Sequence, residues 1–166
     1  MNKTSQIVAT VMIFILVCAM SLPLSAHCQV PCGIYDDQMR IKMISEHIDT
    51  IEKAMKQITE LSKGTPVNYN QVVRWVVNKE KHAEEIDSIV TYYFLTQRVK
   101  PVDPADTANY AKYRQKLELL HHLLFYTMKA KQSVDESLIP KLRNILKNFE
   151  HAYFGAKKEH THQGSK

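Results

Sequence analysis

Apolar residues spaced three and four positions apart recur in four long segments of this 166-residue chain, and this periodicity constrains its fold more than any other feature. Such spacing places apolar side chains on one face of an α-helix, and that face must be buried against a neighbouring element. Taken segment by segment, the stripes comprise Ile41, Ile44, Ile48, Ile51, Met55, Ile58 and Leu61; Val72, Val73, Val76, Val77, Ala83, Ile86, Ile89, Val90, Tyr93 and Phe94; Tyr110, Tyr113, Leu117, Leu120, Leu124 and Met128; and Leu138, Leu142, Ile145, Leu146, Phe149 and Tyr153. The sequence therefore predicts four amphipathic helices that share a core.

Capping and breaking residues mark the ends of these helices. Asp36 and Asp106 precede the first and third stripes, where a carboxylate can accept hydrogen bonds from the free amide groups of a helix start. We expect the second helix to begin near Asn70, after a break at residues 64–66, and Ser137 to cap the fourth helix. The links are short, which is typical of an antiparallel four-helix bundle.

The predicted bundle covers residues 36–156, and residues 157–166 are predicted to form a flexible tail. Only 4 glycines occur, and 5 of the 6 prolines lie outside the periodic segments, which favours an all-α fold over a β-fold. The formal charge of +5 is modest and comes with few arginine clusters, so nucleic acid is not an expected partner. A modest positive charge would instead help to attract a small anion.

Residues 1–26 have the composition of a secretory signal peptide. Lys3 gives a basic start, residues 7–20 form an apolar run broken only by Thr10, and a stretch of small residues with a proline ends at Ala26. The apolar run is too short for a comfortable membrane span. We therefore predict cleavage by signal peptidase after Ala26 and export of a bacterial protein, periplasmic or secreted, with no stable membrane association afterwards.

Cleavage after Ala26 would make His27 the first residue, and residues 27–35 would then form an irregular metal-binding hook ahead of the bundle. The α-amine of His27, together with the amide nitrogen and thiolate of Cys28, would close two five-membered rings on one ion, and Cys32 would add a fourth donor. A deprotonated amide ligand needs a metal with a square-planar preference, Ni(II) or Cu(II). Because two thiolates tend to reduce copper, we predict nickel, with one ion per subunit.

The donor set also indicates redox chemistry. Amidate and thiolate ligands stabilise Ni(III), and they lower a Ni(III)/Ni(II) potential that is far too high in aqueous nickel. The imidazole of His27 is placed to add a fifth, axial ligand in the oxidised state. A couple brought between the potentials for reduction and oxidation of superoxide would run both half-reactions. The predicted function is therefore the dismutation of superoxide to dioxygen and hydrogen peroxide.

Six positions of the N-terminal segment form a motif: His27, Cys28, Pro31, Cys32, Gly33 and Tyr35. This motif, its place after a cleavable leader and the four-helix pattern resemble the nickel superoxide dismutases. The resemblance implies that His27, Cys28 and Cys32 bind nickel and are catalytic together with Tyr35, which closes over the open face. It further implies that the peptide N–H groups of Gln29 and Cys32 face the superoxide, and that the protein is a homohexamer of bundles.

Three positions depart from the family pattern. Gln29 stands where the family commonly has aspartate, Lys42 where it has the carboxylate that holds the axial histidine, and His82 where it has a supporting arginine. Glu46 lies one helical turn after Lys42 on the same face, so it is the candidate replacement for that carboxylate.

Other functions are compatible with parts of this sequence. An exported nickel or copper carrier would use the same N-terminal donors, with further histidines near the C-terminus: His151, His160 and His162. An inert helical bundle would instead carry a disulfide between Cys28 and Cys32. A di-metal carboxylate site is disfavoured, because Glu118 and His121 form a single Glu-x-x-His pair where such a site needs two.

Overall fold

The structure is a computed structural model, and it describes residues 3, 5–6, 11–12 and 33–155. The chain divides into two compact units, Met1–Gly33 and Ile34–Lys166. In the first unit, residues 3, 5–6 and 11–12 are helical. Gly33 has a φ of 81°, in the left-handed region that glycine adopts without steric cost.

The second unit is built from helices joined by short loops. In chain order they are α1 (Asp37–Leu61), α2 (Tyr69–Ser88), the π-helix π1 (Ile89–Arg98), α3 (Thr107–Gln132) and α4 (Leu138–Phe154). Every regular element of the described residues is helical, which confirms the predicted all-α fold. Within the same residues, no helix combines the length and the apolar composition that crossing a membrane requires.

The helices pack in a closed ring, with α1 on α2, α2 on α3, α3 on α4 and α4 on α1. Side-chain contacts show that neighbouring helices run in opposite directions, since residue numbers rise along one helix as they fall along the next. The contacting pairs are His47 with His82, Lys53 with Trp75, Tyr126 with Lys141, Lys116 with Tyr153, Gln38 with Glu150, and Asp49 with Arg143. The predicted antiparallel four-helix bundle is therefore confirmed.

Three of the four helix starts are capped by a side chain that accepts a hydrogen bond from the amide three residues later. Asp36 and Asp106 do so at 2.8 and 3.2 Å, as predicted, and Asn68 does so at 3.2 Å, slightly before the predicted start of the second helix. Ser137 precedes α4, but its side chain makes no capping bond. Its amide donates instead to Asp135 Oδ1 at 2.9 Å, so the predicted Ser137 cap is right in position and wrong in its bond.

The core is formed by the predicted stripes of α1 and α4 together with parts of the other helices. Its fully buried side chains include Ile44, Ile48, Ile51, Met55, Ile86, Val90, Phe94, Leu120, Leu123, Leu142 and Phe149. The core prediction is wrong at four positions, which are 57%, 36%, 60% and 39% exposed: Val73, Val76, Val77 and Met128. These side chains are exposed because the bundle buries a different face of each helix. The buried face of α2 contains Lys79, and that of α3 contains Thr127.

Candidate metal centre and the Asp37 cluster

Three of the four predicted site residues, His27, Cys28 and Cys32, lie outside the described residues. Tyr35 is described, and it lies three residues after Cys32 in the segment that leads into α1. A chain of three residues spans at most about 11 Å. The surroundings of Tyr35 are therefore the described environment that bears most directly on the predicted hook.

Tyr35 lies against π1. Its ring meets the ring of Tyr93 edge-on, with centroids 5.8 Å apart, and the guanidinium carbon of Arg98 lies 4.4 Å from its centroid. Its hydroxyl donates to Gln97 Oε1 at 3.3 Å, which is long for such a bond. Tyr35 is 40% exposed, so it is held by the bundle and still accessible from solvent.

The carboxylate of Asp37, in the first turn of α1, is the centre of this region. Its Oδ1 accepts from the Tyr93 hydroxyl at 2.6 Å and from Arg98 Nε at 2.8 Å. Its Oδ2 accepts from Arg98 Nη2 at 2.6 Å and from the Tyr153 hydroxyl at 2.9 Å. Donors from π1 and α4 therefore converge on one residue of α1. We refer to Tyr35, Asp37, Tyr93, Arg98 and Tyr153 as the Asp37 cluster.

Burial and hydrogen bonding determine the protonation of the Asp37 cluster. Burial acts to raise the pKa of the Asp37 carboxyl, but the hydrogen bonds from Arg98, Tyr93 and Tyr153 outweigh it and hold that pKa below its usual value. Burial and the hydrogen bond to Asp37 raise the pKa of Tyr153 to about 12, and the same two causes raise the pKa of Tyr93. At neutral pH the carboxyl is therefore ionised and both phenols are donors.

The geometry of π1 brings Tyr93 and Arg98 to the same carboxylate. These residues are five positions apart, which in an α-helix would place them on different faces. A π-helix has hydrogen bonds between residues five apart, and at the end of π1 the Val99 N–H donates to Phe94 O at 2.8 Å. Side chains five apart then lie above one another. The apolar stripe predicts a single α-helix that continues through Phe94, and this is wrong because the α-helix ends at Ser88 and a π-helix follows over Ile89–Arg98.

Arg40 adds a positive charge beside the Asp37 cluster. Its guanidinium carbon lies 5.1 Å from the centroid of the Tyr93 ring, and its Nε is buried without a hydrogen-bond partner in the described residues. Arg98 is paired with Asp37 at 2.6 Å, whereas the described part of the chain provides no ion pair for Arg40. Arg40 is therefore a cation beside the Asp37 cluster that no ion pair neutralises within the described residues.

The sequence pattern does not predict a shared site for the members of the Asp37 cluster other than Tyr35. Asp37 directly follows the predicted cap Asp36, and in the first turn of a helix a carboxylate is favourable on its own account. Tyr93 and Tyr153 were assigned to the apolar stripes. One sequence feature could have indicated the cluster: a tyrosine hydroxyl in a buried stripe needs a hydrogen-bond partner.

The positions that depart from the family pattern lie further along the helices. Lys42 and Glu46 are exposed on α1. His82 is half-buried on α2, and its Nδ1 lies 2.8 Å from Nδ1 of His47. Because His27 lies outside the described residues, the role of Glu46 in orienting its imidazole stays a prediction.

The described residues contain no group of three or more histidine, cysteine, aspartate or glutamate side chains that could hold a metal ion. Glu118, His121 and His151 are exposed on α3 and α4. The sequence has no cysteine after Cys32, so a thiolate site in this protein must use the N-terminal segment.

A closed four-helix bundle that follows a segment rich in metal donors defines the class of this protein as a helical-bundle metalloprotein. The family model for nickel-containing superoxide dismutase matches residues 23–157. The chain therefore belongs to the nickel-containing superoxide dismutase family, which makes it an oxidoreductase with a nickel cofactor and superoxide as its substrate. This confirms the family, the enzyme class and the cofactor predicted from sequence. Searches of curated proteins and of solved structures found no match.

Proposed function

We propose that this nickel-dependent superoxide dismutase carries out its reaction at residues 27–35, after cleavage behind Ala26 has exposed the α-amine of His27. The observation that supports this proposal is the family match, which begins at residue 23 and spans the hook segment. The signal peptide of residues 1–26 would direct the protein to the periplasm or the medium of a bacterium, and signal peptidase would complete the site.

In this proposal one nickel ion is bound by His27, Cys28 and Cys32. His27 would supply its amine and its imidazole, Cys28 its amide nitrogen and thiolate, and Cys32 the second thiolate. These donors fit nickel, because thiolate and deprotonated amide ligands suit its square-planar preference. The absence of another group of three ligating side chains in the described residues is consistent with this assignment.

Nickel supplies the one-electron couple for two half-reactions, which together convert two superoxide ions and two protons to dioxygen and hydrogen peroxide. The peptide N–H groups of Gln29 and Cys32 would face the anion, and the accessible Tyr35 hydroxyl would hold the anion or a water beside it. Arg40, which has no ion pair in the described part of the chain, would raise the local concentration of anions.

Adding one alanine ahead of His27 in the mature protein tests the requirement for processing. The extension removes the free α-amine from its place while leaving both thiols and the bundle intact. We expect nickel binding and superoxide dismutation to be lost, with helicity unchanged by circular dichroism. Full activity in the extended protein would overturn the proposal.

Substitutions at the ligands separate an enzyme from a nickel carrier. Cys28→Ser and Cys32→Ser should each abolish dismutation, whereas His27→Gln should keep part of the nickel and turn over more slowly, because it loses only one donor, the imidazole. Nickel content and superoxide removal should be measured on the same samples. Wild-type turnover in Cys28→Ser would contradict the assigned ligands, and nickel binding without turnover in the wild type would favour a carrier.

We infer further that the protein is a homo-oligomer, for which the family resemblance implies a hexamer. Four large apolar side chains in the first half of α2 are exposed: Tyr69, Val73, Val76 and Val77. Tyr69, Val73 and Val77 are four positions apart and therefore lie on one face of the helix. A contiguous apolar face of this kind is typical of a surface that another protein chain covers.

A further inference from the structure

The guanidinium of Arg98 makes two contacts at once. Its Nε and Nη2 atoms donate to the two oxygens of Asp37 at 2.8 and 2.6 Å, while its central carbon lies 4.4 Å from the centroid of the Tyr35 ring. A guanidinium can do both, because its planar fork matches a carboxylate edge-on and its face stacks on an aromatic ring. An ammonium group has no such plane, so lysine is not equivalent at this position.

The charge of Arg98 is not free to attract superoxide. The Arg98 side chain is 28% exposed and that of Asp37 is 15% exposed, and their nearest atoms are 2.6 Å apart. A bidentate pair at this distance presents no net charge to a distant anion. The contribution of Arg98 is therefore geometric, in contrast to that of Arg40, which no ion pair neutralises in the described residues.

The placement of Tyr35 depends on Arg98 more than on its other contacts. The hydroxyl of Tyr35 has only the long, exposed bond to Gln97 at 3.3 Å, and the edge of Tyr93 lies 5.8 Å away between centroids. Arg98 is itself immobilised by Asp37, which also binds Tyr93 and, from α4, Tyr153. The ring of Tyr35 thus rests on a side chain that three elements hold in place.

We propose that Arg98 is a positioning residue for the superoxide reaction: anchored by Asp37, it holds the ring of Tyr35 in a fixed position against π1. Through this contact the segment that follows Cys32 is tied to α1, π1 and α4. The inference rests on the proposed function, because it assumes that Tyr35 acts at the hook. In this role Arg98 acts through its contact with the ring of Tyr35.

The first test uses the metal-free protein labelled with 3-fluorotyrosine, in which the fluorine resonance of Tyr35 is assigned by its loss in Tyr35→Phe. We expect Arg98→Met to move this resonance toward that of free fluorotyrosine, because the ring loses its cationic cover. Where Arg98→Met does not fold, Arg98→Lys should give a smaller shift in the same direction. An unmoved Tyr35 resonance in a folded variant would overturn the proposal.

Arg143→Met is the matched control for this experiment. Arg143 on α4 also binds two carboxylates of α1, those of Asp49 and Glu52, at 2.7 and 2.6 Å. These carboxylates lie about three helical turns or more beyond Asp37. The control therefore removes a comparable ion pair between helices, and it should leave the Tyr35 resonance in place. A shift as large as that of Arg98→Met would mean that the effect is a general loosening, which would also overturn the proposal.

The second test is a double-mutant cycle in the nickel-loaded protein. Arg98→Met should lower kcat/KM about tenfold at unchanged nickel content, and Arg98→Lys should recover part of this loss. In the Tyr35→Phe background, Arg98→Met should have no further effect, because the two residues act as a unit. Effects that multiply would overturn the positioning role. Failure of the proposed function has a different signature: nickel-loaded wild-type protein would not remove superoxide, although Arg98→Met still moved the Tyr35 resonance.

Discussion

His47 on α1 and His82 on α2 form a pair whose Nδ1 atoms lie 2.8 Å apart. The Nδ1–H of one ring therefore donates a hydrogen bond to the unprotonated Nδ1 of the other. His47 Nε2 is also buried, without a hydrogen-bond partner in the described residues. Burial and then the neighbouring His82 lower the pKa of His47, against the opposing influence of Glu85 and Glu46. A doubly charged pair is therefore disfavoured in the folded protein.

We predict that the protein loses stability as the pH falls below about 6.5, the ordinary pKa of histidine. His47 has a lower pKa in the folded than in the unfolded state, so the unfolded chain takes up a proton first and acidification favours unfolding. The effect is at most about 1.4 kcal/mol per pH unit for one proton. Urea unfolding at a series of pH values should show a shallower decline for His47→Gln than for wild type. The exposed His151→Gln is the control, and an identical decline in His47→Gln would contradict this role.

The predicted metal ligands could be derived from local sequence, because chelate-ring chemistry and proximity to a cleavage site are both local properties. The Asp37 cluster could not. Asp37 meets Arg98 across 61 positions of the chain and Tyr153 across 116. A carboxylate at a helix start is satisfied by the helix dipole alone, so nothing near Asp37 in the sequence required a distant partner.

At the scale of the helices, Lys79 joins α2 to the C-terminal end of α3. Its ammonium group, on a side chain that is almost completely buried, donates to the backbone oxygens of Ala130 and Ser133 at 2.7 and 3.1 Å, and to that of Lys131. Carbonyl groups at the end of a helix lack partners within it and form the negative end of its dipole. Lys79 thus caps α3 from a neighbouring helix.

Lys79→Met should lower the free energy of unfolding by about 2–3 kcal/mol, because several buried carbonyl groups would lose a charged donor while the methylene packing was kept. Urea unfolding followed by circular dichroism measures this change. Lys81→Met, at an exposed position of the same helix, should change the free energy by no more than about 0.5 kcal/mol. A loss in Lys79→Met no larger than that of Lys81→Met would show that Lys79 does not stabilise the end of α3.

The helices and most of their ends were predictable, because apolar spacing and capping residues act within a few positions of the chain. π1 was not predictable, because the valine, tyrosines and phenylalanine of Ile89–Arg98 also occur in α-helices. Its form is supported by contacts that span five residues or reach other helices. Thr96 Oγ donates to Thr91 O at 2.8 Å, Gln97 Nε2 donates to Tyr92 O at 2.7 Å, and Asp37 binds two side chains of π1.

At the scale of the whole molecule, the ring of four helices buries one line of side chains along α2 and leaves a second line of side chains exposed. The buried line passes through Lys79, Ala83 and Ile86. The sequence alone could not choose between the two lines, because the valine pairs at 72–73 and 76–77 supply an apolar residue to each. The choice depends on which helices lie alongside, and the line left over is the apolar face through Tyr69, described above as a surface for another subunit.

The double variant Val73→Lys/Val77→Lys tests that surface. Two lysines in an apolar contact would have to be buried without partners, so association should weaken while the bundle, which does not use these side chains, stays folded. Light scattering after size-exclusion chromatography should show an oligomer for the wild type and a smaller species for the variant, with equal helicity. Val134→Lys is the control, because Val134 is 42% exposed and lies in the link between α3 and α4. A monomeric wild type would contradict the homo-oligomer, and an unchanged mass in the double variant would exclude this face of α2 as the contact.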